Sequence, residues 1–147
     1  MPIPNLPSPR FLITRLSAIG DCILTMPVAA ALRRAHPGSL IAWVVQGAGA
    51  QLLVDHPDVD RVIKVPRGWL KSPRAIWKLR QQLRGDNFDY VIDPQSLTKS
   101  SAAGWLSGAS RRIGFTGPQG RELAPLLANH HVRRTAEHVV DAYLELL

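Results

Sequence analysis

A chain of 147 residues with 18 Lys and Arg against 11 Asp and Glu, a formal net charge of +7, is long enough for one domain that buries about two-thirds of the surface its unfolded form exposes. The positive surplus favours anionic partners, among them nucleic acid, phosphorylated sugars and anionic membrane surfaces, without choosing between them. The single cysteine, Cys22, excludes an internal disulfide and with it the small disulfide-stapled scaffolds, so a reducing, cytoplasmic setting is expected.

The opening "MPIPNLPSPR" has four prolines and no apolar core; residues 1–9 are expected to form an unstructured tail, and the segment is neither a signal peptide nor a helix. The first strand is predicted at "FLITRL" (11–16), followed by the loop "SAIGD". A helix is predicted over Val28–His36, with Pro27 restarting or kinking it because proline lacks an amide donor and restrains the residue before it. "LIAWVV" (40–45) reads as the second strand; it is the longest apolar run and far short of the roughly 20 residues that span a bilayer. A helix over 48–55, a strand at "RVIKV" (61–65), the basic loop "PRGWLK" and a helix over Pro73–Arg84 follow. "FDYVID" (88–93) is the fourth strand, "DPQSLTK" its outgoing loop, and Lys99–Leu106 the next helix. A weaker strand, "RRIGF" (111–115), and a helix from Glu137 to Leu147 capped by Thr135 complete the series. Alternating helices and short, near-continuously apolar strands imply a Rossmann-like α/β layer sandwich with a mostly parallel sheet. In such a sheet "SAIGD" and "DPQSLTK" lie on the same carboxyl rim, where open α/β folds place their ligands.

Asp21, in the first of these loops, reads from its position as a helix N-cap and, by its chemistry, also as an acceptor for a proton from a substrate hydroxyl. The loop has neither G-x-G-x-x-G nor G-K-[ST], so it is not a phosphate cradle. His130 and His131 are adjacent and would point to opposite faces of a strand; no metal site is expected. Trp43, Trp77 and Trp105 fall in apolar segments and are expected in the core, whereas Trp69 stands apart in a polar, basic loop.

Taken together, "RLSAIGDCILTMPVAAALRRAHPGSLIAWVV", "HPDVDRVIKV", "FDYVIDPQSLTKSSAAGWLSGASRRIGF", "GRELAPLLANHHV" and "EHVVDAYLELL" resemble the N-terminal half of the ADP-heptose lipopolysaccharide heptosyltransferases, glycosyltransferase family 9, which have the GT-B fold. The resemblance runs from Phe11 to the last residue, in order. It implies an acceptor-binding domain over residues 10–147, with the nucleotide-sugar domain outside this chain, so that the chain by itself is inactive. The family's R-x-S-x-x-G-D motif matches Arg15, Ser17, Gly20 and Asp21, and its Asp is the general base that deprotonates the acceptor hydroxyl. The D-x-Q-G-x-x-K-S motif matches Asp93, Gln95, Lys99 and Ser100, with Lys99 facing an anionic acceptor; Ser96 replaces the family's glycine. In the branch that adds the first heptose to Kdo on lipid A, an Arg-Glu pair matched by Arg121 and Glu122 recognises an acceptor carboxylate. A basic, Trp-containing loop there also contacts the acceptor; Arg67, Trp69 and Lys71 keep it, whereas Gly68 and Leu70 depart from it.

The implied reaction is an inverting displacement on ADP-heptose, without metal or cofactor, by a cytoplasmic enzyme in peripheral contact with the inner face of the inner membrane. Two rivals from other classes stand beside it. One is a noncatalytic module of the same fold that captures anionic glycolipid or an acidic protein surface. The other is nucleic-acid binding driven by charge, against which stand basic residues spread along the chain and the lack of a helix-turn-helix or aromatic-interleaved RNA motif.

Overall fold

The computed structural model describes residues 8–116 and 123–147. Residues 1–7 of the expected tail, together with Arg121 and Glu122, lie outside the described residues. Six strands, β1 (Arg10–Thr14), β2 (Leu40–Gln46), β3 (Arg61–Val65), β4 (Tyr90–Asp93), β5 (Arg111–Thr116) and β6 (His130–Arg133), form one sheet in the order 3-2-1-4-5-6. Every pair is parallel. The helices are α1 (Ile19–Ala35), α2 (Gly49–Leu53), α3 (Pro73–Arg84), α4 (Thr98–Leu106), α5 (Ala124–Leu127) and α6 (Val139–Leu144), with a 3-10 turn at Trp69–Lys71. The Rossmann-like architecture expected from the sequence is the one observed.

The central strands explain their own composition. β1 and β2 are buried along nearly their whole length because helices cover both faces of the sheet, which leaves no reason for polar alternation. One apolar cluster joins Ile13, Trp43, Val28 and Leu53 with Tyr143 and Leu146 under α1, α2 and α6. The other joins Leu12, Val44, Ile63 and Val91 with Leu79 and Leu83 under α3 and α4.

Helix α3 has the bounds its punctuation predicts. Ser72 caps it, its Oγ accepting from the Ala75 amide at 3.3 Å, and Pro73 occupies the first helical position, where no amide donor is needed. Several other expectations are corrected. α1 begins at Ile19 and passes through Pro27 as one helix, because both its ends pack into the first cluster and outweigh one missing hydrogen bond. The cap of α6 is His138, whose Nδ1 accepts from Val140 N at 3.3 Å, whereas Thr135 is bonded to Glu145 instead. β6 and α5 are elements the sequence reading does not predict: α5 is a four-residue helix, APLL, too short for periodicity to show, and β6, HHVR, is an edge strand with His130, His131 and Arg133 exposed that, among the described residues, pairs with β5 alone.

Two tryptophans expected in the core are outside it: Trp77 is 56% and Trp105 54% exposed. The reason at Trp105 is steric. α4 turns Ser100, Ser101, Ala103 and Gly104 inward, and a Cβ on Gly104 would lie 2.8 Å from Val91 Cγ1. At Gly104 the helix sits too close to the sheet for a large side chain, and only at its last residue, Leu106, does a large one reach the core.

Candidate active site

The strand order reverses between β1 and β4, so the helix following β1 packs on one face of the sheet and the helix following β4 on the other. Their loops part at the carboxyl rim and leave a crevice, the usual ligand position in open α/β sheets. Here it is a polar cleft of about 590 Å³ lined by Arg15, Ser17, Asp21, Gln95, Lys99, Arg134 and Tyr143, among others.

The two loops are tied across the crevice. Gln95 Oε1 accepts from the Leu16 amide at 2.8 Å, and Lys99 Nζ donates to Ser17 Oγ at 2.9 Å. Lys99 stands in the first turn of α4, where its ammonium is near the positive end of the helix and is best balanced by an anion.

Asp21 is not the cap of α1. The cap position is Ala18, and Asp21 occupies the third helical position. Its Oδ2 lies 3.5 Å from the Ala18 amide and 3.0 Å from Arg15 Nη2. Both contacts fall on Oδ2; among the described residues Oδ1 has no protein partner, and the side chain is 46% exposed. Arg15 is held from behind, 8% exposed, with its guanidinium 5.4 Å from the centre of the Tyr143 ring. Its carbonyl accepts from Trp43 Nε1 at 2.9 Å. An exposed carboxylate is thus oriented by a buried cation whose guanidinium packs on α6 and whose backbone is tied to β2.

Below the cleft, Asp93 is buried and accepts hydrogen bonds from the Ser96 amide at 2.9 Å and from the Ser101 hydroxyl. Burial pushes its carboxyl above the usual carboxylate range, against the lowering effect of the Ser101 and Ser96 bonds. Its contacts are structural, holding the β4–α4 loop. Ser96 in that loop has φ of 50°, the left-handed conformation for which glycine is the usual residue. Its hydroxyl compensates by donating to the Asp93 carbonyl at 2.8 Å and accepting from the Phe115 amide at 2.9 Å.

The sequence model of glycosyltransferase family 9 (heptosyltransferase) matches residues 76–147. Lipopolysaccharide heptosyltransferase 1 of Escherichia coli is 35% identical over 93% of this chain and 46% of its own length. That of Pseudomonas aeruginosa is 37% identical over 73% of this chain and 30% of its own. The chain belongs to glycosyltransferase family 9. Among solved structures, E. coli heptosyltransferase WaaC with ADP superposes with a TM-score of 0.79 at 35% identity, covering 93% of this chain and 45% of that one. A family 9 glycosyl transferase from Veillonella parvula gives a TM-score of 0.79 at 25% identity, over 94% of this chain and 40% of that one. The chain therefore spans about half the length of the curated relatives it matches.

Of the residues the family motifs single out, Arg15, Ser17, Asp21, Gln95 and Lys99 converge on the cleft. Gly20 is exposed beside it, and a Cβ there would meet no atom within 4 Å. Ser100 is buried, bonding the Leu97 backbone. Arg67 and Lys71 are exposed on the β3–α3 connection, away from the cleft-lining residues. Trp69, read as an acceptor contact, is 2% exposed and packed in the α3–α4 cluster; the structure does not bring its ring to the cleft.

Arg134 and Tyr143 were missed. They reach the cleft from the end of β6 and from α6. Arg134 is fixed by donating to the carbonyls of Ala136 at 2.9 Å and Glu137 at 2.6 Å. Glu145 clamps that segment by accepting from the amides of Thr135 and Ala136, bonds that hold its carboxyl below the usual range. No sequence motif announces this arrangement, because it depends on β6 joining the sheet.

Proposed function

We propose that residues 10–147 are the N-terminal, acceptor-binding domain of an inverting heptosyltransferase that transfers heptose from ADP-heptose to Kdo on lipid A in lipopolysaccharide biosynthesis. The observation that carries this reading is the charge arrangement of the cleft: one exposed carboxylate, Asp21, with Oδ1 unpartnered among the described residues, amid Arg15, Lys99 and Arg134. A purely anion-capturing module gains nothing from that carboxylate, whereas a transferase acting on an acidic sugar uses both signs.

In this reading the cations hold the acceptor's carboxylates so that one hydroxyl faces Asp21 Oδ1. As that oxygen bonds to the anomeric carbon of the heptose, its proton passes to Asp21 and the bond from the anomeric carbon to the diphosphate oxygen breaks. The configuration inverts, ADP leaves, and the transition state has oxocarbenium character. The Arg15 contact fixes the carboxylate's direction, which is the positioning half of the catalysis. Gly20 is compatible with the reading: no described atom within 4 Å requires glycine there, which leaves its backbone open to an approaching acceptor. Arg121, and Arg67 on the β3–α3 connection, add acceptor contacts by family resemblance. The nucleotide sugar binds a second domain outside these residues, and the work is done at the cytoplasmic face of the inner membrane.

Asp21→Asn, in a protein carrying both domains, should cut turnover by about two to four orders of magnitude with acceptor affinity nearly unchanged. Near-wild-type turnover would overturn the assignment. On the 147-residue chain itself, calorimetric titration should show saturable heat with a Kdo-type acid and none with ADP. Tight ADP binding would reverse the assignment of the halves.

A further inference from the structure

The positive charge of this chain is not spread evenly, although its basic residues occur throughout. Residues 61–85 hold eight of the 18 basic residues and none of the 11 acidic ones, so the rest of the chain is near neutral. This segment folds as β3, the 3-10 turn and α3. Helix α3 spends its apolar face on the core, with Leu79 and Leu83 buried, and presents Arg74, Trp77, Lys78 and Arg84 outward, all exposed. Beside it α4 carries the exposed Trp105, and the Arg84 guanidinium packs over Gly108 in the turn that ends α4. Residues 94–116, which include α4, contain no Asp or Glu either. The nearest carboxylate of the segment's C-terminal turn, Asp86, is buried and paired with Arg61.

We propose that the outer layer formed by α3 and α4 docks on a bilayer rich in anionic phospholipid. Trp77 and Trp105 sit at headgroup depth, where an aromatic ring with a polar edge is most stable, and Arg74, Lys78 and Arg84 meet lipid phosphates. Beside α3 a groove of about 300 Å³ has Lys64, Arg74 and Lys78 around an apolar floor that includes Val65, Pro66 and Leu79, so cations there surround a surface that acyl or glycerol carbons can touch. Contact is shallow, because the apolar face of α3 is already committed to the core. A bilayer fits better than nucleic acid: the two tryptophans project from separate helices on an outer layer, and among the described residues no channel joins them in which successive bases could stack. The surface supplies the lipid side of the proposed acceptor and rests on that reading only for its purpose. The 3-10 turn that leads into α3 follows the carboxyl end of β3, on the same rim as the cleft.

The test is binding of the 147-residue chain to vesicles of phosphatidylglycerol and phosphatidylethanolamine, against vesicles of phosphatidylcholine alone, with brominated lipids as quenchers of tryptophan fluorescence. Quenching is expected only with anionic vesicles, and Trp77→Ser with Trp105→Ser should remove it, since Trp43 and Trp69 are buried. Arg74→Gln with Lys78→Gln should raise the half-saturating lipid concentration about 30-fold, at roughly a fivefold loss per charge. The control pair Arg34→Gln with Arg133→Gln, exposed elsewhere, should shift it by less than about threefold. Binding indifferent to anionic lipid, an equal loss in the control pair, or displacement of the vesicles by a single-stranded oligonucleotide at lower concentration would each overturn the proposal. Asp21→Asn should bind vesicles as the parent does, so failure of the catalytic reading and failure of the membrane surface are separable.

Discussion

Ser96 stands where the family resemblance implies a glycine, and the structure sets two effects against each other there. At φ of 50° a residue with a Cβ costs about 1 kcal/mol relative to glycine. Against this, the buried hydroxyl is the partner of the Phe115 amide; leaving that donor unsatisfied costs about 1–3 kcal/mol, and losing the bond to the Asp93 carbonyl costs about 1 kcal/mol more. Ser96→Gly should therefore be destabilising by about 1–3 kcal/mol even though it restores the glycine that the resemblance implies. Ser96→Ala forfeits the same bonds and keeps the backbone cost, so it should be worse than glycine by about 1 kcal/mol. Urea unfolding of the three proteins, compared at equal m-values, reads the order directly. If Ser96→Gly is more stable than the parent, the hydroxyl does not hold β5 to the β4–α4 loop and the reasoning fails.

Asp93 gives a pH prediction. Because burial raises its carboxyl in the folded protein, ionisation works against folding. The cost is absent below the unfolded carboxylate value of about 3.9, grows as pH rises through the raised value, and is constant above it. Asp93→Asn should therefore gain stability relative to the parent as pH rises from about 3.5 to 7, and a difference flat with pH would refute this. Gly104→Ala should destabilise by about 1–2 kcal/mol, overpacking against Val91 outweighing the gain in helix propensity. Val91→Ala in the same chain should recover part of that loss in a double-mutant cycle, and strict additivity would mean α4 simply shifts. Lys99→Ala should weaken binding of a Kdo-type acid more than of its methyl ester; equal losses would make the Ser17 bond a structural tie only.

Much of this protein is decided by local sequence. The alternation of short apolar runs with helical segments determines a parallel sheet covered on both faces, since only doubly covered strands need no polar side. Ser72 and Pro73 determine where α3 starts, because the backbone groups at a helix end must be satisfied locally. The two rim loops follow from the order of elements, and with them the convergence of Ser17, Asp21, Gln95 and Lys99. Other features belong to tertiary structure alone. β6 is a strand because β5 offers it an edge, not because "HHVR" is apolar, and its joining places Arg134 in the cleft. Tyr143 supports Arg15 because α6 packs against α1. Trp43 lies in the core as expected, but Trp69 and the pair Trp77 and Trp105 exchange their expected places for the same kind of reason. Periodicity tells which residues share a face, but how closely that face approaches its neighbour decides what fits: α4 lies so near Val91 that small residues turn inward and Trp105 turns out, whereas the connection after β3 leaves a space that Trp69 fills.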